Sequence, residues 1–102
     1  MTFKGWIATA ALVLLAPSAA HPATEPNFGA KSTGDLVELC SATPDNGMGT
    51  AALNFCEGYM QGAVTVEMLN MAAFRGPKLF CLPNPPPTRT QAMGEFVNWA
   101  RA

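Results

Sequence analysis

The segment Thr43-Pro44-Asp45-Asn46-Gly47 is a dense cluster of turn formers, and it stands between two runs of helical apolar spacing. Before it, Leu36, Val37, Leu39 and Cys40 share one face of a helix. After it, Leu53, Cys56, Met60, Ala63, Val64, Met68 and Met71 recur at steps of three and four, so a second helix is expected from about Thr50 to Phe74. Two helices on either side of one tight turn make a hairpin. A cysteine near the end of the first and another near the start of the second then come together.

Whether those cysteines join depends on compartment. The N-terminus, MTFKGWIATAALVLLAPSAAHPA, has a basic residue at Lys4 and an apolar run from Trp6 to Ala16. Pro17 breaks that run, and Ser18-Ala19-Ala20 supplies the small residues of a cleavage site. The run is shorter than the roughly 20 apolar residues of a membrane span. Residues 1–20 are expected to be a cleaved signal peptide, which exports the remainder to an oxidising space where disulfides persist. No stable membrane insertion is expected after cleavage.

The remaining chain is small enough to form one domain with a modest core, and such domains often need a covalent staple. Cys40, Cys56 and Cys81 all lie beyond the cleavage point, which leaves one disulfide and one further thiol. Hairpin topology favours Cys40–Cys56, which closes a loop of fifteen residues and contributes about 3 kcal/mol in the chain-entropy estimate. Cys56–Cys81 is the competing pair, and it needs the segment after the second helix to fold back along it.

The rest of the chain reads as helix and connector. Residues 21–31, HPATEPNFGAK, have no apolar period and are expected to be a flexible lead-in. Ser32 and Asp35 mark the first helix start, and Thr88-Arg89-Thr90-Gln91 matches a capping box for the last helix. That helix presents Ala92, Met93, Phe96, Val97 and Ala100 on one face. Between them, Pro83-Asn84-Pro85-Pro86-Pro87 must be extended or turning. No period-two pattern suggests a strand. The expected fold is all-α, a disulfide-stapled bundle of three to four helices over residues 32–102. On the second helix, Gly58 and Gly62 stack on one face, which suggests close approach of another backbone, with Tyr59 as an anchor beside them.

The catalytic inventory is thin. The single histidine, His21, lies in the lead-in, so no ordered base stands ready for a cysteine nucleophile. Three spread cysteines without a CxxC spacing do not form a zinc pattern. Glu57 and Glu67 lie ten residues apart on the second helix and so on different faces. Asp35 and Glu38 sit in a solvated position. No enzyme activity, metal or cofactor is expected. Without the signal peptide, five cationic side chains face seven acidic ones, a balance too weak to imply nucleic acid or an anionic membrane as partner.

Three stretches, GDLVELCSA (Gly34 to Ala42), FCEGYMQGAV (Phe55 to Val64) and FCLPNPPPTRTQAMGEFVNWA (Phe80 to Ala100), resemble the Rap1a/Tai family of immunity proteins. In that family an L-x-x-L-C helix is followed by a C-x-G-Y-[IM]-x-G helix, then by a C-[IL]-P turn into a T-x-x-Q helix. The proline run Pro85-Pro86-Pro87 stands where relatives carry a short polar or glycine turn, and relatives generally continue past the position of Ala102. The resemblance implies a small, all-α, often dimeric protein of the bacterial periplasm that binds and blocks a peptidoglycan amidase toxin of a type VI secretion system. The exposed loop Asp45-Asn46-Gly47-Met48-Gly49, anchored by the cysteines, is the candidate contact for that partner. A periplasmic chaperone of the acid-stress type is the alternative, on the strength of the methionines at 60, 68, 71 and 93.

Overall fold

The computed structural model describes residues 22–74 and 76–102, so the expected signal peptide and His21 lie outside the described residues. Within them the chain forms a short 3-10 turn (Glu25–Gly29) and three α-helices: α1 (Thr33–Cys40), α2 (Gly47–Phe74) and α3 (Arg89–Arg101). Among the described residues there is no strand. The all-α reading holds.

Local chemistry starts α1 and α3 where the sequence places them. The Asp35 N–H donates to Ser32 Oγ at 3.1 Å, and the Ser32 N–H donates back to Asp35 Oδ2 at 3.1 Å. At α3 the Gln91 N–H donates to Thr88 Oγ1 at 3.2 Å, and the Thr88 N–H donates to Gln91 Oε1 at 2.9 Å. Each reciprocal pair satisfies two backbone donors that a helix start leaves open.

Residues 22–31 depart from the expected flexible lead-in. Thr24 N–H donates to Asn27 Oδ1 at 2.8 Å and closes the 3-10 turn. Asn27 Nδ2 then donates to Asp35 Oδ1 at 2.9 Å, which ties the turn to the start of α1. Phe28 meets Phe55 of α2 edge-on, with ring centroids 5.5 Å apart. A five-residue turn is too short to show a period, so its docking was invisible to periodicity; it rests on one aromatic and one amide.

Asp35 therefore collects several donors, and hydrogen bonds from the side chains of Asn27 and Ser32 hold its carboxyl below the ordinary 3.8. A depressed carboxylate contributes stability that is present above its unfolded value and lost as pH falls through its folded value. Thermal unfolding followed from pH 6 downward should show a loss that begins near the ordinary aspartate pKa and continues below it. Asp35→Asn should flatten that acid limb, with the amides of residues 24–30 exchanging faster than in the native chain.

The hairpin closes as its topology suggests. A disulfide joins Cys40 at the end of α1 to Cys56 on α2, and Cys81 is a free, exposed cysteine. Around that link lies the core: Leu39, Ala52 and Cys56 are fully buried, with Val37, Met93 and Val97 nearly so. α1 packs on both longer helices, while α2 and α3 meet each other less. Arg101 Nη2 donates to Ser41 Oγ at 3.1 Å, tying the last turn of α3 to the end of α1.

Length then sets what remains uncovered. At 1.5 Å per residue, α2 with its 28 residues spans about 42 Å, against about 12 Å for the eight of α1 and about 20 Å for the thirteen of α3. Along the expected apolar stripe of α2, Cys56 is buried, Leu53, Met60, Val64 and Met71 are half-buried, and Ala63 and Met68 are exposed. Off that stripe Val66, Leu69 and Phe74 are exposed as well.

Gly58 and Gly62 also differ from expectation. A Cβ built on either would meet nothing within 4 Å, so no other backbone among the described residues approaches them. The glycine that does permit close approach is Gly49, whose Cβ would fall 1.8 Å from the Thr43 carbonyl oxygen. Tyr59 stacks on Phe55 with centroids 6.1 Å apart and stays 46% exposed, so it anchors no seam within the chain.

Candidate functional site

The connection from α1 to α2 is shorter than the cysteine spacing suggests. Because α2 begins at Gly47, only Ser41 to Asn46 lie between the helices. The expected contact loop is thereby divided: Asp45 and Asn46 belong to the connection, while Gly47, Met48 and Gly49 form the first turn of α2. Asn46 caps that turn, its Oδ1 accepting the Gly49 N–H at 2.9 Å and its backbone carbonyl accepting the Thr50 N–H at 3.1 Å. Thr43 Oγ1 donates to Asp45 Oδ2 at 2.7 Å.

The consequence is a fixed corner rather than a free loop. Its base is the Cys40–Cys56 link, its inner face is Gly49 against the Thr43 carbonyl, and Asp45, Asn46 and Met48 project from it. Met48 is 42% exposed, a large apolar side chain at the rim of a depression shared with Pro22, Ala23 and Ala42. A surface built this way has little conformational freedom to lose on binding.

A second concavity escaped the sequence reading. The proline segment lies alongside α2, so that Leu82, Pro86 and Met93 face Met60, Val64 and Met68 across an apolar groove of about 250 Å³. Glu57 and Arg89 pair at its rim at 3.7 Å, a surface ion pair worth little. The signal for it was present: a stiff proline run beside a methionine-rich helix face. Its position depended on where the chain returns after α2, which no local pattern specifies.

Cys56 is consumed in the disulfide, and the Met60 sulfur lies 3.8 Å from its own. Glu57 is engaged with Arg89 rather than with a second carboxylate. Among the described residues no three His, Cys, Asp or Glu side chains converge as metal ligands. No helix among them is long and apolar enough to cross a membrane.

A capped helix ending in Cys40, a disulfide into a long second helix, and a capped third helix after a proline turn occur in this order over residues 32–102. The family model for Rap1a immunity proteins matches that same range. The chain belongs to the Rap1a immunity family. No curated protein and no solved structure matches it. The match begins at the Ser32 cap, so the docked 3-10 turn of residues 25–29 precedes the matched region.

Proposed function

We propose that this Rap1a domain acts in the periplasm, where it binds and blocks a peptidoglycan amidase effector of a type VI secretion system. The family match over residues 32–102 carries the reading. The Cys40–Cys56 disulfide supports action in an oxidising compartment. Inhibition is by occupation: a non-catalytic helical domain covers the toxin's cleft with a preorganised corner. Asp45, Asn46 and Met48 are the side chains that such a corner presents. The chain performs this role as a homodimer, as the resemblance to its family implies.

Co-expression tests the reading. An exported NlpC/P60-like cysteine amidase encoded beside this chain should lyse cells alone and be tolerated when the chain is present. Absence of rescue together with absence of binding overturns it. Suppression of client aggregation at low pH without a specific partner would then favour the chaperone alternative.

Met48→Glu tests the contact surface. Met48 is exposed in the first turn of α2, where a carboxylate suits the helix dipole, so the fold should be retained. Loss of a central apolar anchor should weaken amidase binding by at least about tenfold, measured by titration calorimetry. Unchanged affinity would move the contact elsewhere on the domain.

A further inference from the structure

The segment ahead of the Ser32 cap is held along α1 at both ends. Asn27 and Phe28 fix it beside the start of that helix, through Asp35 and Phe55. Pro22 and Ala23 reach the other end of the helix, where they wall a depression with Ala42, Thr43, Asn46 and Met48. The chain reverses at Ala30, whose φ of 44° is left-handed, a conformation that disfavours a residue with a Cβ. The Ala30 N–H donates to the Asn27 carbonyl at 2.9 Å and holds the reversal. Ser32 and Asp35 complete the cap of α1 between themselves, so the helix start does not call for this reversal. Nor does the turn enlarge the core much, since none of its five residues is fully buried. Backbone strain kept by surrounding contacts is found where a surface must be fixed for binding.

The surface fixed here is the depression beside the proposed toxin contact, with a volume of about 200 Å³, room for one large side chain. Every described residue that lines it is uncharged, and the neighbouring Asp45 carboxylate accepts the Thr43 hydroxyl. A charged side chain would therefore be desolvated there without a partner. The walls are apolar at Pro22, Ala23, Ala42 and Met48, and a methionine thioether favours contact with an aromatic ring. One polar group is unspent: Asn46 Oδ1 accepts the Gly49 N–H, while no acceptor among the described residues takes the Nδ2 protons. An apolar ring with an oxygen at its tip matches that lining.

We infer that residues 22–28, ahead of the family-matched region, are a specificity element: Pro22 and Ala23 complete a depression that takes a tyrosine side chain of the partner. Its ring lies against Pro22 and Met48, and its hydroxyl oxygen accepts from Asn46 Nδ2. Phe28 is a positioning residue, which holds the wall in place without touching the ring. The inference rests on the reading of this corner as the toxin contact, and it names what the corner receives.

Amide NMR titration of the purified chain with p-cresol, the tyrosine side chain as a free molecule, should give saturable shifts at Ala23, Thr43, Asn46 and Met48. Phe28→Ala releases the wall and should weaken p-cresol and amidase binding by about tenfold each, measured below its thermal midpoint. Pro22→Gly, at an exposed position, should weaken both by about threefold with an unchanged circular dichroism spectrum. Val97→Ala, in the core of α3, should lower the midpoint but leave both affinities unchanged, which separates positioning from mere stability. Absence of saturable shifts, or shifts confined to Met60, Val64 and Met68 of the other groove, overturns the tyrosine site. Equal affinities for the native and Phe28→Ala chains overturn the role of the segment. A chain that takes p-cresol at this corner but binds no amidase overturns the toxin reading alone, so the two failures are distinguishable.

Discussion

Replacing Cys40 and Cys56 together by alanine should lower the thermal midpoint by about 12–24 °C. Closing a loop of fifteen residues removes about 3 kcal/mol of chain entropy from the unfolded state. For a domain of this size each kcal/mol moves the midpoint by about 4–8 °C. The effect should be large here because α1 has only eight residues and would be marginal on its own. Cys56 is also fully buried, so truncation adds a small cavity beside Leu39 and Ala52. Reduction of the native chain by dithiothreitol should reproduce most of the loss without that cavity. Cys81→Ser, at an exposed free thiol, should leave the midpoint unchanged. A double variant that melts with the native chain would mean that packing alone holds α1 in place.

Gly49→Ala should destabilise the domain by about 3 kcal/mol, a size that surface substitutions do not reach. The cause is steric rather than conformational, since none of the described glycines has a positive φ. An added Cβ would fall 1.8 Å from the Thr43 carbonyl oxygen and 3.0 Å from the carbonyl carbon. Both are backbone atoms, so no side chain can swing aside. Nor can the helix turn yield easily, because the Gly49 and Thr50 N–H groups are both held by Asn46. The connection on the other side is anchored through Cys40. Gly58→Ala gives the opposite sign. It meets nothing within 4 Å in the interior of α2, and alanine there should stabilise by about 0.5–1 kcal/mol. Urea denaturation of the two variants side by side measures both. Equal effects would show that the corner at Thr43 relaxes freely.

Gly49 also links stability to the proposed contact. The same close approach that makes alanine costly brings Asp45, Asn46 and Met48 into one rigid corner. Gly49→Ala should therefore impair amidase binding even in the folded fraction, whereas Gly58→Ala should not.

Much of the fold was legible because its signals are local. A cap is a matter of residues three apart, so Ser32 with Asp35 and Thr88 with Gln91 marked their helices without reference to the rest of the chain. The turn cluster and the cysteines on either side of it specified a hairpin, and hairpin geometry favoured the pairing the structure contains. Family membership was legible for a related reason: the motif pieces sit within single helices and turns.

What the tertiary structure decided is which of these surfaces are covered. Gly58 and Gly62 carry the same residue-level signal as Gly49, but only Gly49 faces another backbone, because only there does the chain double back. Phe28 lies in a segment with no period, and it docks because Phe55 presents a ring to it. The second half of α2 has the apolar spacing of a core helix, yet Val66, Met68, Leu69 and Phe74 are exposed, since α1 and α3 are too short to cover it. Sequence determines which residues share a face, through a period that any helix imposes. It does not determine what stands opposite that face, since this depends on how far the neighbouring helices extend and where the chain returns.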